Sequence, residues 1–207
     1  FLLSLGEKTE DWDYAEDKAR RLQKISGSSD LSILSKYIIN KSIDRIINND
    51  FEEAEILLNK AINQSPNYGL PYKYLGDIKM ENRDLVKAID YWEKFMNLSP
   101  EDSNLVFDNI ESALFDLGRY SEVENFYRRV LDKRPMDLNA GLRLANVLNE
   151  KGEEQAAVSL IDKLIENGNS TISIMLMKLK LSLSIETPSE LGTQIDNILE
   201  QLNNDNE

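Results

Sequence analysis

The stretch Pro71–Pro100, "PYKYLGDIKMENRDLVKAIDYWEKFMNLSP", decides the fold. Apolar residues recur in it at helical spacing twice, on either side of the polar break "ENRD". Gly76 stands in the middle of the first of these helices, where glycine is about 1 kcal/mol less favourable than alanine. A close neighbour explains it: a second helix passes where a side chain would be, and the packing gain outweighs the propensity.

The stretch is one copy of a period. Pro66, Pro100 and Pro135 lie 34 and 35 residues apart, and Ala54, Ala88, Val123 and Ala157 repeat at 34, 35 and 34. Phe51, Leu85 and Tyr120 keep the same register, as do Asn49, Arg83, Gly118 and Gly152 at the turn between helices. One extra residue near Ser103 accounts for each 35. Periods of this size mark stacked supersecondary units. The spacing predicts first helices over 31–48, 71–82, 103–117, 137–150 and 171–185. Second helices are predicted over 51–64, 84–98, 120–133, 153–166 and 188–202. Asp50 with Glu53 and Thr187 with Glu190 have the form of capping boxes. Pro71 and Pro188 fit the first helical position, where the missing N–H is no loss.

The repeating unit resembles the tetratricopeptide repeat. The residues that carry the resemblance are Tyr72, Leu75-Gly76, Ala88, Trp92, Phe95 and Pro100. The unit Ser35–Tyr68 keeps Phe51, Ala54, Leu58, Ala61 and Pro66 but has Lys41-Ser42 where Leu-Gly is usual. The unit Asn104–Asp137 keeps Gly118, Tyr120, Tyr127 and Pro135, with Glu111 in place of the glycine. The next keeps Leu144-Ala145, Gly152, Ala157 and Ile161. The resemblance implies an all-α, right-handed superhelical solenoid of antiparallel helix pairs. Residues 1–27 are expected to be the end of a truncated repeat, marked by Trp12, Ala15, Ala19 and Leu22. Residues 31–202 are expected to form about four full repeats with a degenerate capping pair, and 203–207 a disordered tail. The opening "FLLSLG" reads as the tail of a helix from a longer chain.

The order of segments, from "DWDYAEDKARRLQKI" to "LRLANVLNEKGEEQAAVSLIDKLIENG", also resembles the later repeats of the bacterial lipopolysaccharide assembly protein B family. That resemblance implies an adaptor that brings a lipopolysaccharide-synthesis enzyme to a membrane protease. It also implies a cytoplasmic location, tethered to the inner membrane by a segment outside this chain. Neither the family's membrane helix nor its Cys-x-x-Cys pairs occur here.

The repeat family's concave groove is lined by first helices. Carried over, its positions are Ile39, Ile43, Ile46 and Ile47; then Lys73, Tyr74, Asp77, Met80 and Glu81; then Asp108, Asn109, Ser112, Phe115 and Asp116; then Asn139, Arg143, Asn146, Asn149 and Glu150. A subclass grips a partner's terminal carboxylate with paired cations and asparagines. Lys73, Asn109 and Arg143 match that clamp, but Asp77 stands where asparagine is expected and repels a carboxylate. The expected ligand is a basic or amphipathic protein segment, with reversal of Asp77 and Asp116 as its test. The other reading is a structural or oligomerisation role through the isoleucine-rich "LSILSKYIINKSIDRIINN". There, Ile39, Ile43 and Ile46 form a stripe that either the truncated repeat and the "SGSSD" turn cover, or a partner does.

Composition narrows the chemistry. The 207 residues carry a net charge of −13 and 41% hydrophobic residues, with five prolines and nine glycines. Such an acidic surface repels phosphate backbones, so nucleic acid is not an expected partner. The chain has no cysteine and no histidine, which removes thiolate nucleophiles, imidazole bases and the usual zinc ligands. No phosphate-binding or nucleophile motif is present. No cofactor and no catalysis are expected. "EDSNLVFDNIE" lacks the central glycine of a calcium loop and reads as a turn leading into a helix.

Overall fold

The computed structural model describes residues 8–9, 11–27, 32–168 and 171–204. Among them are eleven helices of eight or more residues and no strand. They are α1 (Trp12–Ser26), α2 (Ser32–Ile47), α3 (Phe51–Gln64), α4 (Leu70–Glu81), α5 (Leu85–Leu98) and α6 (Phe107–Asp116). They continue as α7 (Tyr120–Lys133), α8 (Leu138–Glu150), α9 (Glu154–Glu166), α10 (Ile172–Ser182) and α11 (Pro188–Asn204). The helix order and bounds follow the 34-residue period. One prediction fails: 103–117 is not a single helix. Pro100–Val106 forms a 3-10 helix, and α6 begins only at Phe107. The extra residue of this repeat falls in that tighter turn, with Ser103 buried inside it. The helix expected to end at 202 runs to Asn204, so Asn203 and Asn204 are not tail; 205–207 lie outside the described residues.

The turns explain the register. Asn49, Arg83, Gly118 and Gly152 all have positive φ, between 60° and 77°. In three of these turns the next N–H reaches back five residues: Asp50 to Arg45 O, Asp84 to Lys79 O and Glu153 to Leu148 O, at 2.8–2.9 Å. This is the left-handed helix stop that satisfies the last carbonyls. It also corrects one predicted capping box. Asp50 accepts from the Glu53 N–H at 3.4 Å, but its own N–H is used by Arg45, so Glu53 makes no return bond to it. Thr187 and Glu190 form the full reciprocal box, at 2.8 and 3.4 Å.

The chain divides into two compact units, Phe1–Leu117 and Gly118–Glu207. In the first unit, α1 packs on α2, α2 on α3, α3 on α4, α4 on α5 and α5 on α6. Each second helix thus meets its own partner and the first helix that follows. One core joins Ile38 and Ile39 of α2, Ala54, Leu58 and Ala61 of α3, and Leu75 and Ile78 of α4. A second joins Ala15 and Ala19 of α1 to Leu34 and Tyr37 of α2, with Trp12 stacked on Tyr37. The isoleucine-rich helix is apolar on two faces because it is packed on two sides. The expected stripe of Ile39, Ile43 and Ile46 packs on the core shared with α3 and α4, while α1 meets Leu34 and Tyr37 instead; most of "SGSSD" lies outside the described residues.

In the second unit α7, α8, α9, α10 and α11 pack in sequence. Tyr127, Leu144, Ala145, Ala157, Ile161 and Ile174 are fully or almost fully buried. Gly141 takes the Leu164 side chain against its backbone. Tyr120, expected as a packing residue of its repeat, is 65% exposed at the start of α7. No described helix is long and apolar enough to cross a membrane.

Candidate functional site

Gly76 and Trp92 build the centre of the first unit's site. A Cβ on Gly76 would lie 2.5 Å from Trp92 Cδ1 and 2.9 Å from Cε2. The ring is wholly buried. Glycine is therefore required by a rigid indole from the second helix of the same pair, not by a close backbone. A buried indole needs an acceptor for its N–H. Trp92 Nε1 donates to Asp77 Oδ1 at 3.0 Å, one residue beyond the glycine.

Asp77 draws in two more groups. Lys73 Nζ, one turn earlier on α4, donates to Asp77 Oδ2 at 2.6 Å. Asn109 Nδ2 of α6 donates to Oδ1 at 3.3 Å. The carboxylate thus sits where Lys73 and Asn109 converge, and both matched clamp residues of the first unit are already engaged. Arg143, the third, belongs to the second unit, on α8 with Asn139, Asn146 and Asn149. Asp77 is itself the carboxylate that Lys73 and Asn109 hold. The proposed reversal at Asp77 is corrected for the same reason, since it would also unpair the Trp92 N–H.

The hydrogen bond from Asn109 to Asp77 links α6 to α4. Glu81 on α4 is exposed, as are Asp108, Ser112 and Asp116 on α6. Asp116 accepts from Arg83 at 2.9 Å. Lys73 Nζ lies 4.8 Å from the centre of the Tyr74 ring. The only other cation on these two helices, Lys79, pairs with Glu55 of α3 at 2.6 Å. Three apolar candidates are diverted inward. Ile39 is 2% exposed and belongs to the core, which corrects its placement in the groove. Ile43 and Tyr74 are half-buried against the same core.

A second charged cluster was not foreseen. Glu16 of α1, with its side chain 9% exposed, accepts from Arg20 at 2.6 Å, Lys41 at 3.1 Å and Lys60 at 3.1 Å. Burial alone would raise its pKa, but the hydrogen bonds from Lys41, Lys60 and Arg20 outweigh that and hold it at about 2. Lys41 also meets Asp13 at 2.6 Å. This explains the departure from Leu-Gly in the first full repeat. Lys41 ties α1 to α2, and the Ser42 hydroxyl is buried and donates to Ile39 O at 2.6 Å. The signal was the lysine at a position that elsewhere packs leucine.

No family model matches the chain. It is 20% identical over 165 residues to lipopolysaccharide assembly protein B of Escherichia coli (strain K12), covering 80% of this chain and 42% of that protein. The chain thus spans about two-fifths of the length of the curated relatives it matches. Among solved structures, MamA from Desulfovibrio magneticus RS-1 superposes with a TM-score of 0.54 at 14% identity, covering 84% of this chain and 97% of that one. PilF of Pseudomonas aeruginosa gives 0.54 at 15% identity, covering 97% and 87%. YrrB, described as a TPR protein with an unusual peptide-binding site, gives 0.50 at 17% identity, covering 90% and 91%. The fold is a tetratricopeptide-repeat solenoid. The likeness to these solved structures establishes that fold and leaves the function to be argued from the site.

Proposed function

We propose that the chain is a non-catalytic interaction scaffold that recognises a basic or amphipathic segment of a partner protein on the α4–α6 face of the first unit. The observation that carries this reading is the capture of Lys73 and Asn109 by Asp77. Helices α4 and α6 carry two lysines, both held in ion pairs, against five carboxylates, Asp77, Glu81, Asp108, Glu111 and Asp116, the last of which pairs with Arg83. A cationic segment gains from that surplus, and an anionic one meets repulsion at every turn. The peptide-binding description of YrrB supports a peptide as the occupant.

The finer reading is a part in lipopolysaccharide assembly, carried by the likeness to lipopolysaccharide assembly protein B and placed at the cytoplasmic face of the inner membrane. The experiment is binding of the 207-residue chain to a peptide library graded from basic to acidic, repeated with Asp108→Lys/Asp116→Lys. Binding is expected to rise with peptide positive charge, fall with salt and be lost in the double variant. Binding indifferent to peptide charge, or untouched by the double variant, overturns the groove. Unchanged lipopolysaccharide levels in source cells lacking the gene overturn the finer reading alone.

A further inference from the structure

The last described helix pair of the second unit breaks a burial rule that every earlier pair obeys. Leu58, Trp92, Tyr127 and Ile161 occupy one register position of successive second helices, and each is 0% exposed. Ile195 holds that position in α11 and is 45% exposed. One turn later, Ile62, Met96, Leu131 and Ile165 are half-buried, while Leu199 is 52% exposed. Between them Ile198 is buried, so α11 is seated on its neighbours and offers an adjoining second apolar strip outward. In the pairs before it, the first helix that follows packs on this side of the array: α4 on α3, α6 on α5, α10 on α9.

The charges beside the strip select its occupant. Helix α11 carries Glu190, Asp196 and Glu200 and neither lysine nor arginine. Asp196 and Glu200 follow Ile195 and Leu199 by one residue each, so they border the strip along one edge. The helix C-terminus adds partial negative charge at the same end. On α10, Lys178 is already held by Asp162 at 2.7 Å. A second copy of α11 laid on the strip would set carboxylate against carboxylate.

We infer that the Ile195–Leu199 strip of α11 is a docking surface for an amphipathic helix of a partner protein, apolar on one side and lined with lysine or arginine. This helix takes the place that the first helix of a following pair takes elsewhere in the chain. The surface is separate from the α4–α6 face and belongs to the second unit alone.

The test uses the Asp108→Lys/Asp116→Lys chain, so that binding at the first unit does not contribute. The probe is a synthetic amphipathic helix with a leucine stripe flanked by lysines, and its counterpart flanked by glutamates. Affinity is read by fluorescence anisotropy, and contact residues by amide chemical shifts. The lysine peptide is expected to bind with shifts centred on α11, and the glutamate peptide at least about tenfold more weakly. Ile195→Ser/Leu199→Ser is expected to weaken binding by about tenfold or more, from the apolar area lost. Asp196→Lys/Glu200→Lys, at exposed positions that leave packing intact, is expected to weaken it and flatten its salt dependence. No binding, shifts elsewhere, or affinity unmoved by both α11 variants overturns the inference. Dimerisation by light scattering that Leu199→Ser abolishes assigns the strip to a second copy, and also overturns it. So does a full-length gene product in which the strip is already closed to the peptide.

Discussion

The Trp92 indole occupies the space that a side chain at Gly76 would need, and the same ring hands its N–H to the next residue, Asp77. Adding one methyl at Gly76 therefore sets two effects against each other. Alanine gains about 1 kcal/mol of helix propensity, but it must displace a fully buried ring, and overpacking of that kind costs about 1–3 kcal/mol. The surrounding bond to Asp77 limits how far the ring can shift, so Gly76→Ala is expected to destabilise by about 1–2 kcal/mol net. Gly192 is the control. It lies inside α11, and a methyl added there would meet nothing within 4 Å, so Gly192→Ala is expected to stabilise by about 0.5–1 kcal/mol. Urea unfolding of both variants decides it; equal and favourable changes would show that Trp92 does not hold Gly76.

Asp77 separates structure from recognition. Asp77→Asn keeps an oxygen to accept from Trp92, and is expected to cost less than about 1 kcal/mol. Asp77→Ala leaves a buried indole N–H without its acceptor and is expected to cost about 1–3 kcal/mol. Indole emission measured with Trp12 replaced by Phe reports on Trp92 directly. If Asn and Ala destabilise equally, the bond to Trp92 contributes nothing and the carboxylate is held there for its charge.

How much of this was open to reading in sequence depends on how local the cause is. Turn register was readable, because positive φ at Asn49, Arg83, Gly118 and Gly152 is a property of one residue and its neighbours. Helix extents were readable for the same reason, from amphipathic spacing and caps. The 3-10 turn at Pro100–Val106 was not, since the inserted residue could be absorbed as helix or as turn and only packing around Ser103 chooses. Candidate groove residues on α4 and α6 could be listed from the repeat register. Their pairing could not: Asp77 meets residues 15 and 32 positions away. Ile39 was misplaced because α2 is apolar on two faces, and sequence alone does not say which face turns inward.

Glu16 makes part of the fold's stability depend on pH. Its folded pKa is about 2, below the ordinary 4.5. A depressed carboxyl contributes stability that is fully present above the unfolded value and is lost as pH falls through the folded one. The contribution is expected to hold above about pH 5 and to disappear between about pH 4.5 and 2. Glu16→Gln removes it. The two proteins are expected to differ by about 2–3 kcal/mol at neutral pH, with the gap closing across that window. A gap that stays constant down to pH 2 would mean that Glu16 acts by packing and not by charge.

The turns give the last prediction, and it runs in opposite directions at matched positions. Gly152 has φ 77°, and alanine there takes on left-handed strain of about 1–2 kcal/mol with no contact to offset it, since the space around it is open. Gly152→Ala is expected to lose about that much. Arg83 already bears the strain, at φ 60°. Arg83→Gly relieves it but gives up the exposed pair with Asp116, worth under about 1 kcal/mol. It also adds unfolded-chain entropy that favours unfolding. The net change is expected to be within about 0.5 kcal/mol of zero at low salt and to become favourable at high salt, where the ion pair is screened. Thermal unfolding at two ionic strengths measures both terms. A loss in Arg83→Gly that does not shrink with salt would show that the arginine stem, rather than its charge, steadies this turn.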